Sequence, residues 1–126
     1  MTHKSRIGNI VIDCNTQNLK QQAIFWSKAL GCKMPEKVRK DDKFIQLKTK
    51  GGELQIILQA VSHPSGMHLD IETNDIQKEV RRMRNLGAEI VIDKSDWVVM
   101  QSPSGHRFCI GKAFRGGFED NANVWD

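Results

Sequence analysis

Met67-His68-Leu69-Asp70-Ile71-Glu72-Thr73 places polar residues at 68, 70 and 72 and apolar ones at 67, 69 and 71. A strand sends successive side chains to opposite faces, so His68, Asp70 and Glu72 share one face while Leu69 and Ile71 turn to a core. Asn74 and Asp75 then offer an N-cap. The helix that follows, 75–86, carries Ile76, Val80 and Met83 at helical spacing and ends at Leu86-Gly87, where glycine supplies a left-handed stop. Strands follow at 88–92, 97–101 and 107–111, the last two joined by the turn Ser102-Pro103-Ser104-Gly105.

The same order stands upstream. Residues 7–14 read as a strand with Asn9, Val11 and Asp13 on one face and Ile10 and Ile12 on the other. Asn15 to Asn18 is turn-like and can cap a helix over 19–30, which Gly31 stops. Residues 32–38 contain Pro35 and read as an edge strand. Strands at 44–48 and 54–58 follow, with a tight turn at Gly51-Gly52. Asn9-Ile10-Val11-Ile12-Asp13 parallels His68-Leu69-Asp70-Ile71-Glu72, and Ala29-Leu30-Gly31-Cys32 parallels Asn85-Leu86-Gly87-Ala88. A duplicated half-module is the economical reading of that restart. Ser62-His63-Pro64-Ser65-Gly66 is the linker. The expected fold is α+β, with two tandem β-α-β-β-β modules. They lie at about 5–61 and 67–113 of one domain spanning 1–126, followed by a tail over 114–126. Neither half has many apolar residues, so a shared core or cleft is expected.

With 126 residues the chain suits one domain that can bury a sizeable core. Net charge is +4, with the basic residues scattered apart from Arg81, Arg82 and Arg84. A solvated helix face accounts for those three. No aromatic stripe or nucleic-acid motif accompanies them, so no nucleic-acid partner is expected. The charge favours anionic over cationic ligands. Cys14, Cys32 and Cys109 form no CxxC pair and no zinc spacing, and the N-terminus has no following apolar run of signal or transmembrane length. A cytoplasmic protein without a membrane partner is expected.

The repeat and several strings resemble the vicinal oxygen chelate superfamily, the glyoxalase/bleomycin resistance/dioxygenase fold. The strings are Phe25-Trp26-Ser27-Lys28-Ala29-Leu30-Gly31, His68-Leu69-Asp70-Ile71, Leu86-Gly87-Ala88 and the hairpin Trp97 to Cys109. The last is close to that of the small glyoxalase-like subgroup. The resemblance implies curved mixed sheets around a shared cavity, often with a divalent metal, and a homodimer. It also implies that the positions of metal ligands correspond to Asn9, Gln55, His68 and Cys109. Strand parity puts each of these opposite its apolar neighbours. Two of the four are neutral amides, which are weak ligands and compensate no charge. The usual metal set is therefore incomplete, no cofactor is expected, and a divalent metal would rest on His68.

The expected function is small-molecule binding in the cavity through Asn9, Gln55, His68, Asp70, Trp97 and Cys109. The alternative is a metal-dependent lyase or isomerase in which His68, helped by Asp70 or Glu72, moves a proton, with His68 and Glu72 as the catalytic pair. Cys109 reads as a buried small residue rather than a nucleophile. Phe25 and Trp26 read as core. His3, His63 and His106 read as surface residues.

Overall fold

A computed structural model describes residues 2–51 and 54–126 of the chain. Among them, eight strands and three helices occur in the order β1 (His3–Asn15), α1 (Leu19–Leu30), β2 (Phe44–Leu47), β3 (Gln55–Val61), β4 (Gly66–Thr73), α2 (Ile76–Asn85), β5 (Glu89–Asp93), β6 (Trp97–Gln101), β7 (Arg107–Lys112), α3 (Phe118–Asn121) and β8 (Asn123–Trp125). This is the α+β order of two modules. The turn expected at Gly51-Gly52 lies partly outside the described residues. Contacts divide the chain into two compact units, residues 9–68 and residues 1–8 with 69–126. Both β1 and β4 therefore change unit along their length.

In the unit of residues 9–68, β1 pairs in parallel with β3, and β2 runs antiparallel on β3's other side. Asn18 caps α1 by accepting from the Gln21 N–H, and Gly31 ends it at φ 72°. Leu19, Ala23 and Ser27 recur every four residues and form the buried stripe of α1. It packs on Ile12, Cys14, Ile45, Leu47 and Leu58. Trp26 packs against this cluster, but Phe25 does not belong to the core. It is 59% exposed and meets the Trp26 ring edge-on at 5.2 Å. The strings 25 and 26 are adjacent on a helix 100° apart, so only one can face the sheet. Leu58→Ala is expected to cost about 2–5 kcal/mol by leaving a cavity at a fully buried site. Phe25→Ala should cost no more than about 1 kcal/mol. Urea unfolding of the two variants checks the contrast.

The expected edge strand at 32–38 is reduced to one bridge, Lys33 with Lys48. Pro35 lacks an N–H and stops the ladder from extending.

In the other unit, β4 pairs in parallel with β7, and β6 and β5 follow antiparallel. Asp75 caps α2 by accepting from the Lys78 N–H. Gly87 lies beyond its last turn at φ 109°. Ile76, Val80 and Met83 pack on a second core of Ala88, Val98, Met100 and Ile110, with Ile71 and Phe108 beside it. Each module thus has its own apolar cluster, so of the shared core or cleft that was expected, the core is not shared. The apolar residues suffice because each helix covers its own sheet.

Two further expectations change at the chain ends. β1 begins at His3, four residues before the expected start, and the segment expected as a loop or tail forms α3 and β8. β8 pairs antiparallel with the start of β1, setting His3 opposite Trp125. His3 is buried, not a surface residue, and its Nε2 lies 2.8 Å from Glu79 Oε1. Glu79 is fully buried and also accepts from Arg82 Nε and a second Arg82 nitrogen at 2.8 and 2.9 Å. Arg82 stacks on the Trp125 ring at 3.8 Å, and Trp125 Nε1 donates to Ser5 Oγ. Arg82 is therefore no part of a solvated face. No local periodicity marks such a network, because its members come from three distant segments, at residues 3–5, 79–82 and 125.

Candidate functional site

Strand parity places the expected site residues as follows. In residues 9–68, Ile12, Cys14 and Leu58 face α1, so Asn9, Val11 and Asp13 of β1 and Gln55, Ile57 and Gln59 of β3 face away from it. Asn9 and Gln55 are direct partners across the two strands. In the other unit, Ile71, Val98, Met100, Phe108 and Ile110 pack with α2, so Asp70, Cys109 and Trp97 face away from it. Asp70 and Cys109 are direct partners. Trp97 is half-exposed and pairs with Gly111.

His68 Nδ1 lies 2.7 Å from Asp13 Oδ2, and the two side chains are only 18% and 9% exposed. A carboxylate accepts and does not donate, so His68 Nδ1 carries the proton of this contact. Asp13 Oδ1 is buried and receives no hydrogen bond among the described residues. Sequence reasoning placed Asp13 on the Asn9 face but had no signal that a histidine 55 positions on would meet it. Beside it, burial and the Asp13 charge push the Cys14 thiol up, so Cys14 stays protonated and inert.

Glu72 shares the parity of His68 yet plays another part. It is fully buried and accepts from Arg6 Nε at 2.7 Å and from the Arg115 N–H at 3.2 Å. Arg6 in turn donates to the carbonyls of Arg115 and Gly116. A carboxylate held in this way ties the C-terminal segment to β1. His63 and His106 are exposed, as expected.

His68 and Asp70 are next-but-one neighbours on β4. Asp70 faces Cys109 across β4 and β7, which brings a carboxylate beside a thiol. Imidazole, carboxylate and thiol are the ligand types of a borderline cation such as zinc, and the amides of Asn9 and Gln55 are not.

A βαββ unit with one added bridge, followed by a βαβββ unit, with parallel β1–β3 and β4–β7 pairs, is the architecture of the vicinal oxygen chelate fold. The chain belongs to the glyoxalase-like domain family, whose model matches residues 9–111. Among solved structures, it is similar to a hypothetical protein of Bacillus halodurans, at 14% identity over 90% of this chain and 97% of that one, with a TM-score of 0.63. It is also similar to a methylmalonyl-CoA epimerase of Mycobacterium tuberculosis, at 15% identity over 86% and 88% of the two chains, with a TM-score of 0.60. At these identities the likeness shows the fold. No curated protein matches the sequence. No helix among the described residues is long and apolar enough to cross a membrane.

Proposed function

We propose that the chain binds a small polar molecule through His68 and Asp13, without the metal set usual in its superfamily. The 2.7 Å His68–Asp13 pair carries this reading. It orients a nearly buried imidazole, and it leaves a buried carboxylate oxygen that no donor among the described residues satisfies. Such an oxygen is costly without a partner, so a ligand hydroxyl or amide N–H that meets it gains more than the same contact in water. Asn9 and Gln55, partnered on neighbouring strands, add amide groups of the kind that read sugars, amides or hydroxy acids. The test is a thermal-shift screen of metabolites on protein purified without chelator. A ligand at about 100 times its Kd should add about 2.7 kcal/mol of stability. His68→Ala should abolish that gain. A screen in which no metabolite stabilises the protein and divalent metal alone does would overturn the reading.

The imidazole of His68, backed by the Asp13 carboxylate, favours a second reading, a metal-dependent lyase or isomerase with His68 as a metal ligand. A bound ion there would polarise a carbonyl oxygen. Elemental analysis separates the two readings. Stoichiometric zinc, nickel, manganese or iron that is lost in His68→Ala supports the enzyme.

The reading includes a homodimer. β5 pairs with β6 along one side only and exposes Ile90, Val91 and Ile92, and an uncovered apolar edge of this kind favours association. Light scattering behind a sizing column tests it, and a monomer at micromolar concentration counts against it.

A further inference from the structure

The arginines of α2 divide into two kinds. Arg82 is held by Glu79 and stacked on Trp125. Arg81 and Arg84 are exposed, and their guanidinium groups make no ion pair or hydrogen bond among the described residues. Two like charges one turn apart repel, and nothing acidic on the helix compensates them. Both line a groove of about 650 Å³ between α2 and the turn that joins β5 to β6. Ile76, Val80 and Val98 line it as well and give it an apolar floor. On the far wall, Asp93 Oδ1 accepts from the Ser95 N–H, so that carboxylate is partly engaged by its own turn. Ser95 adds a hydroxyl to that wall, and Asn85 and Gln77 add amides on the α2 side.

We propose that this groove binds a small organic anion, with a phosphate or carboxylate held by Arg81 and Arg84 and an apolar body on Ile76, Val80 and Val98. The volume lies in the range of small-molecule sites. Paired guanidiniums match the planar oxygens of such a group. The apolar floor distinguishes the ligand from an inorganic ion. The site is distinct from His68 and Asp13, so it neither requires nor supports the function proposed above. A nucleic-acid backbone would want charge spread along a stripe, and the unpartnered charge here is confined to two residues.

Phenyl phosphate is the probe, with inorganic phosphate and phenol as its two halves, followed by amide NMR titration of the full chain. Phenyl phosphate should bind at least about ten-fold more tightly than either half, with shifts concentrated at residues 76–85 and 93–98. The exposed double variant Arg81→Gln/Arg84→Gln should weaken it at least about ten-fold with an unchanged circular dichroism spectrum. Lys20→Gln/Lys28→Gln on α1 should leave it unchanged. Equal binding of inorganic phosphate, shifts elsewhere in the chain, an unaffected double variant, or preference for a duplex oligonucleotide would each overturn the proposal.

Discussion

Replacing Glu79 with alanine is expected to remove about 3–5 kcal/mol of stability, a large part of what a domain of this size has. The carboxylate is fully buried, and its loss leaves Arg82 without its counter-charge and His3 without its hydrogen-bond partner. It also releases the support beneath the Arg82–Trp125 stack, so Trp125 fluorescence should change with the unfolding midpoint. Burial by itself pushes the Glu79 carboxyl up. Hydrogen bonds from Arg82, Ser5 and His3, with the Arg82 charge, more than offset that and hold it below the usual glutamate range. A depressed folded value means that the stabilisation is fully present above the ordinary glutamate pKa of about 4.3 and is lost as pH falls through the folded value. Urea midpoints followed from neutral into acid pH should show this loss in the wild type. In Glu79→Gln the same slope should be shallower, and an unchanged slope would mean that the network does not govern acid stability.

The second large effect concerns Asp13. Asp13→Asn keeps the shape but removes the charge that holds the His68 Nδ1 proton, and its amide can donate to that nitrogen instead. The imidazole then gains a competing tautomer with the proton on Nε2. Hydrogen bonds to a charged partner are worth about 1.5–3 kcal/mol, so affinity for the ligand found in the screen should fall about 10- to 100-fold. Long-range nitrogen–proton NMR spectra of His68 should show the tautomer shift directly. An unchanged tautomer together with unchanged affinity would remove Asp13 from the site. His68→Ala differs, because it leaves both Asp13 oxygens buried without a donor and should also cost about 1–3 kcal/mol of stability.

The fold was legible because both modules obey strand parity and both helices carry explicit caps and glycine stops. Asn18, Gly31, Asp75 and Gly87 all stand where those signals put them. The face of each site residue followed from the same period of two. Contacts between distant segments were not legible. Glu72 has the same alternation as Asp70, and only the place of Arg6 and the Arg115 backbone shows that one carboxylate is structural while the other stands beside Cys109. Asp13 became a site residue only through His68. Phe25 misleads because an aromatic inside an amphipathic helix looks like core, although the stripe of α1 runs through 19, 23 and 27.

The grouping of residues 1–8 with 69–126 bears on how the gene can be cut. A fragment beginning at Gly66 would contain Glu72 and Glu79 but neither Arg6 nor His3, and its β8 would have no strand to join. The apparent repeat is thus unsuited to expression as two halves split at the linker. The termini invite a different operation. His3 and Trp125 are paired residues, so a short peptide could join the two ends, and new ends could be opened in the exposed stretch 62–66. Such a circular permutant keeps every buried ion pair in one continuous chain and lets the two repeats follow each other in reverse order.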